Sequence, residues 1–223
     1  MTDLLAAPSP TGMTYENLLT TLRQYTERGN ASDTTVNYQL PYLINRAERS
    51  CADKLKIMGY RYVVTSKMVM GQAVIAKPEG WRNTVSINYG GGPALDQRTT
   101  LRARLYEYLR SIYPDDSKMG SPVFYADYSQ EAWIVGPTPS RDYPFEALVY
   151  RLPDLLSDAN QQNYLTQFAP NLLLYECLKA LEPFIRNDSR MGLWQNLAAE
   201  EIANVNTQDM MKVIDRGQKR TGS

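Results

Sequence analysis

YLTQFAPNLLLYECLKALEPFI, Tyr164 to Ile185, is the stretch whose reading decides the fold. The segment ahead of it, Leu156-Ser157-Asp158-Ala159-Asn160, offers several N-caps, whose side-chain oxygens can accept from the free N–H groups of a first helical turn. Pro170 then opens a second helix, at a position where a missing N–H leaves no intrahelical acceptor wanting. From there Leu172, Leu173, Leu174, Tyr175, Cys177, Leu178, Leu181, Phe184 and Ile185 fall on nearly every side, the pattern of a buried helix. Gln167, Glu176, Lys179 and Glu182 interrupt the run, which is also too short to span a membrane. It is therefore the expected central helix, against which both ends of the chain must pack.

Working outward toward the N-terminus, residues before Met13 read as a loose arm holding Pro8, Pro10 and Gly12. Thr14 caps a helix with the stripe Leu18, Leu19, Leu22 and Tyr25, which Gly29 stops; Asn17 stands where a full capping box needs Glu or Gln. After a polar link, Asn30 to Thr35, a second helix repeats Val36, Leu40, Leu43, Ile44, Ala47, Cys51, Leu55 and Met58 over about six turns and ends at Gly59. Its outer face, Arg46, Glu48, Arg49, Asp53, Lys54 and Lys56, reads as solvated.

After Gly59 the period changes from helical to alternating. Short apolar, β-branched and aromatic runs follow at Tyr60 to Thr65, Ala73 to Ala76, Thr84 to Tyr89 and Thr99 to Leu105. Turn signals separate them at Lys77-Pro78-Glu79-Gly80 and Gly90-Gly91-Gly92-Pro93. Leu105 to Tyr113 reads as a brief helix or irregular strand. Val123–Tyr128 and Ala132–Val135 form a hairpin, and Phe145 to Leu152 a last strand whose inward face the alternation leaves open. The middle third is thus a small antiparallel sandwich or open barrel. Beyond the central stretch, a final helix carries Met191, Trp194, Leu197, Ala198, Ile202, Val205, Met210, Val213 and Ile214. The expected fold is α+β: a helical bundle built from both ends of the chain, with an inserted β unit. The boundaries are residues 1–59 (arm and helices), 60–153 (β domain), 154–216 (helices completing the bundle) and 217–223 (an extended basic tail).

Composition limits the chemistry. The 24 basic and 24 acidic residues balance, so a generic basic footprint for nucleic acid is missing. No histidine is present, which removes the usual proton shuttle and every His-dependent triad. Cys51 and Cys177 lie on apolar helical stripes and read as buried free thiols rather than a disulfide framework. Asp115-Asp116 lacks the stepped oxygen ligands of an acidic metal loop and reads as a solvated turn. The glycine triplet lacks the GK[ST] ending of a phosphate loop and reads as a hairpin tip. The 16 tyrosines suit half-buried sheet positions and interfaces equally. No cofactor or metal is expected.

At Trp133-Ile134-Val135-Gly136-Pro137-Thr138-Pro139, then Asp142-Tyr143-Pro144, the chain resembles the tail adaptor proteins of tailed bacteriophages. The likeness continues through Leu156-Ser157-Asp158, Asn163-Tyr164-Leu165, Ala169 to Tyr175, Glu182-Pro183-Phe184 and Asp188, Arg190 and Trp194. Upstream it includes Leu101, Arg104, Tyr108, Leu109, Arg110 and Pro114. The resemblance implies a non-enzymatic virion protein, made in the host cytoplasm and placed in the tail or neck region away from any membrane. It implies a ring, usually of twelve copies, under the portal protein and joined to the tail tube or nozzle, with genomic DNA passing through without sequence-specific binding. On that reading the last helix and tail, with Lys212, Arg216, Lys219 and Arg220, dock on the portal. The β unit meets neighbouring subunits and the tail through Trp81, Tyr89, Asp115, Asp116, Lys118 and Trp133. Two other classes stay open from the residues alone. A carboxylate-dependent glycan hydrolase needs two acid groups about 5–10 Å apart across a cleft; a small-ligand binding module needs one large apolar pocket.

Overall fold

The computed structural model describes residues 12–26, 33–55, 57–90, 98–185 and 188–218, with side chains in the last helix as far as residue 211. The arm before Gly12, the Gly29 stop and the tail beyond Gln218 lie outside them, as does most of the glycine triplet. The chain divides into two compact units: Met1–Gly59 with Pro153–Ser223, and Tyr60–Leu152.

The first unit is helical. Helix α1 (Tyr15–Thr26) starts where the Asn17 amide donates to Thr14 Oγ1 at 3.1 Å, and it buries Leu18 and Leu22. Helix α2 (Thr34–Lys54) is capped by Asp33, which accepts from the Val36 amide at 3.2 Å, so the expected link ends two residues early. Its three- and four-residue steps bury Val36, Leu40, Ile44, Ala47 and Cys51. Pro41 inside it removes one ladder donor without ending the helix. The helix stops at Lys54, short of Gly59. Gly59 has a different role, because a Cβ there would stand 2.2 Å from the Tyr164 ring.

Helix α4 (Tyr164–Phe168) and helix α5 (Pro170–Leu181) form the central stretch. The N-cap is Asn163, not the Leu156–Asn160 segment. Asn163 accepts from the Leu165 and Thr166 amides, while Thr166 Oγ1 accepts from the Asn163 amide at 2.9 Å, a complete capping box. Pro170 is at the first turn of α5, and Leu172, Leu173, Leu174, Cys177, Leu178 and Leu181 are buried. Helix α6 (Met191–Gln218) packs on α5 by its first turns, with Trp194 stacked on Tyr175 at 6.0 Å and edge-on to Tyr25 at 5.8 Å. Trp194 and Ala198 are buried, Ile202 and Val205 half-buried, and Met210 exposed.

The second unit holds the strands. One sheet runs β1 (Arg61–Met68), β10 (Tyr143–Arg151), β3 (Trp81–Tyr89) and β4 (Thr99–Thr100), all antiparallel. The other runs β2 (Val74–Ala76), β8 (Ala132–Gly136), β7 (Phe124–Asp127) and β5 (Arg102–Ala103). Here β5 pairs parallel with β7, as β6 (Met119–Gly120) does with β9 (Thr138–Pro139), so the unit is not wholly antiparallel. Both four-stranded sheets are open among the described residues, which gives a sandwich and no closed barrel. Met68, Ile87, Tyr125, Trp133, Phe145 and Val149 from both sheets share one core. On β10 the inward set is Tyr143, Phe145, Ala147 and Val149. Leu105–Tyr113 resolves as a helix, α3 (Tyr106–Ile112), whose Leu109 packs with Ala126 and Ile134 on the far face of β7 and β8.

Candidate functional site

Residues expected at contacts with other chains stand in different surroundings. Asp115, Asp116 and Lys118 share the exposed loop between α3 and β6. Asp115 accepts from the hydroxyl and the amide of Ser117, and these bonds, the hydroxyl's first, hold its carboxyl below the usual range. Asp116 pairs with Arg110 at 2.9 Å, and the Lys118 ammonium stands 5.7 Å from the Tyr113 ring centroid. Trp133 and Tyr89, by contrast, are core. Trp133 is fully buried and donates its indole N–H to Thr84 Oγ1 at 2.8 Å. The Tyr89 hydroxyl donates to the Pro122 carbonyl at 2.9 Å, with its ring edge-on to Tyr143. An interface role for these two side chains is corrected, because a side chain enclosed between two sheets has no face left for another chain.

Trp81 is intermediate. It opens β3 half-buried, donates to Thr84 Oγ1 at 3.0 Å and lies under the Lys77 ammonium, 3.3 Å from its ring centroid. That ammonium also donates to the Ser129 carbonyl and pairs with Asp127, both at 2.8 Å, which satisfies a cation whose side chain is 1% exposed. Lys212 and Arg216 lie on the last turns of α6 with side chains outside the described set; Lys219 and Arg220 lie wholly outside it.

Acid groups in the helical unit serve packing. Glu48, read as part of a solvated face, is buried; it accepts from the Leu156 amide at 3.1 and 3.2 Å and from Asn163 Nδ2. Burial pushes its carboxyl up to about 7, outweighing the donors that pull it down. Glu176 is buried too, and it accepts from Ser50, Lys54 and Lys179. Burial alone would raise its pKa; the hydrogen bonds from Lys179 and Lys54 reverse that and leave it lowered. Glu182 Oε1 accepts from Trp194 Nε1 at 2.9 Å. Both cysteines are buried, and loss of solvent pushes the Cys51 thiol up to about 12 and the Cys177 thiol well above its ordinary value, so both are unreactive. Among the described residues no His, Cys, Asp or Glu cluster is arranged to hold a metal ion, and no helix is long and apolar enough to cross a membrane.

What the surface offers instead is aromatic and cationic. Around α3, Leu105 is 76% exposed, Tyr106 and Tyr128 lie 5.7 Å apart, and Arg104 stands over Tyr108 at 5.6 Å. On α2, Tyr38 and Tyr42 project outward side by side. Tyrosine and arginine at exposed positions are the side chains that protein interfaces favour. The sequence model of the SU10 adaptor protein family matches residues 13–220. The chain belongs to the SU10 adaptor family. That membership bears out the resemblance to phage head-to-tail adaptors, and the match takes in both compact units, so the inserted sandwich is part of the family pattern. No curated protein matches the chain.

The adaptor motif Trp133-Ile134-Val135-Gly136 now has a structural reason. Strand β8 is covered on one side by the sandwich core, through Trp133 and Val135, and on the other by α3, through Ile134. Gly136 is required because a Cβ would come within 2.8 Å of the Tyr113 ring. Sequence reasoning missed Glu48, Glu176 and the α3 surface. The first two stand at buried helical spacing, Glu48 four residues after Ile44, and that spacing was the available signal.

Proposed function

We propose that this chain is a structural protein of the virion neck, forming a ring beneath the portal and joining it to the tail tube or nozzle. Family membership across residues 13–220 is the observation that carries the reading. Twelve copies surround a channel through which genomic DNA passes without sequence-specific contacts. A balanced net charge supports this, since a densely cationic lining would hold the phosphates it must let slide. No covalent chemistry is assigned to it. The last turns of α6 and the tail, with Lys212, Arg216, Lys219 and Arg220, dock on the portal. The loop bearing Asp115, Asp116 and Lys118, with Trp81, faces neighbouring copies or the next tail component. Interfaces between copies are heterologous and close into the ring.

The test is attachment to purified portal, followed by particle mass. The intact chain adds a ring of copies to the portal. Deletion from Gly217 onward abolishes attachment, and Lys219→Glu with Arg220→Glu weakens it more at low salt than at high salt. Unchanged attachment of the deleted chain would refute the tail assignment.

A further inference from the structure

Helices α2 and α5 and the first turn of α6 line a partly open cavity of about 420 Å³ in the helical unit. Its polar lining is Arg46, Ser50, Glu176 and Lys179; its apolar wall is Ala47, Ala180, Pro183 and Met191. The Glu176 carboxylate is already engaged, by Ser50 at 3.1 Å, by Lys54 at 2.7 Å and by Lys179. Arg46 is exposed and makes no hydrogen bond or ion pair among the described residues. Arg46 and Lys179 therefore line the pocket with one carboxylate, Glu176, whose partners are already in place, so its charged lining holds two cations to one acid beside an apolar wall.

The approach to the cavity is aromatic. Tyr38, Tyr42, Arg46 and Ser50 recur at four-residue steps on α2, so they form one stripe leading into it. Tyr38 and Tyr42 are 67% and 58% exposed with ring centroids 5.7 Å apart, although tyrosine usually buries much of its ring. Tyrosine and arginine dominate binding energy where interfaces have been dissected.

We propose that this cavity docks an acidic segment of another virion protein. The segment sets an Asp or Glu against Arg46 and Lys179, an apolar side chain against Ala180, Pro183 and Met191, and its flank along Tyr38 and Tyr42. The inference rests on the adaptor reading and adds where on the molecule one partner binds and with what chemistry. A DNA backbone would meet the cations but has no use for the apolar wall.

Overlapping peptides covering the other virion proteins of the same phage test it. They are added to full-length protein carrying 13C-methyl methionine, with the Met191 resonance and fluorescence anisotropy as readouts. A peptide that shifts Met191 should carry an acidic residue beside an apolar one. Changing that residue to its amide, or Arg46→Glu in the protein, should weaken binding about tenfold or more. The unfolding midpoint of Arg46→Glu should match the parent's, because Arg46 holds nothing in the described fold. The proposal is overturned if no peptide moves Met191, if the peptides that do lack acidic residues, or if Arg46→Glu binds as tightly as the parent. Duplex DNA or a peptide of this chain's own sequence moving Met191 in their place would overturn it equally. Absence of the protein from purified virions would instead sink the adaptor reading, so the two failures are distinguishable.

Discussion

At residue 48 burial and hydrogen bonding pull in opposite directions, and burial wins. The Glu48 carboxyl, near 4.5 when unfolded, titrates at about 7 when folded. Between those values the folded state binds the extra proton, so this residue's contribution to stability falls as pH rises from about 4.5 to about 7 and is constant beyond. The full effect is about 3 kcal/mol by the one-unit conversion. Glu48→Gln keeps an acceptor for the Leu156 amide and removes the titration. Urea midpoints measured from pH 5 to pH 8 should therefore fall less steeply for the variant than for the parent; equal slopes would refute the assignment. Glu48 was illegible as a buried group because its neighbours Arg46 and Arg49 face water, and a charged run reads as one face. Position decided against that reading: Ile44, Glu48, Cys51 and Leu55 form a single helical ladder, and all four are buried.

Among the elements, the long periodic ones were legible and the short ones were not. The repeat of α2 and the all-round apolarity of α5 are consequences of burial, so pattern and packing say the same thing. Helix α4 has five residues, too few for a period; its start at Tyr164 agrees with the sequence reading, but its cap is Asn163 and not the Leu156–Asn160 segment. Its real signal was the Asn163–Thr166 spacing, which places two side chains to cap each other. Strand β8 shows the reverse case. The unbroken run Ala132 to Val135 departs from strand alternation because both faces are covered, which is also why Trp133 could not be a contact residue. Gly136→Ala would drive a methyl toward Tyr113 and Leu109 and should cost about 1–3 kcal/mol, read as a lower denaturant midpoint. An unchanged midpoint would mean that Tyr113 moves aside freely.

At the scale of the molecule, the α+β class was readable from the switch of period at Gly59, but sandwich and barrel were not separable. Both alternate inward and outward residues identically; only strand pairing decides, and the parallel pairs β5–β7 and β6–β9 join segments that no local signal connects. Tyr60–Leu152 is one continuous segment with its own core. Produced alone, it should unfold in one cooperative transition with near-ultraviolet circular dichroism from its buried aromatics. A molten, non-cooperative product would show that the sandwich depends on the helices. The helical unit has no such independence, because Cys51 and Ile44 on α2 need the leucines of α5 from far along the chain.

That discontinuity sets a timetable on the ribosome. Residues 60–152 emerge complete and can settle while α1 and α2, already made, wait with their greasy faces uncovered until residues 170–181 appear. The cavity between α2 and α5 cannot exist before then. A nascent chain therefore has no finished docking face to offer, and recruitment of partners is deferred until translation has delivered the last helices.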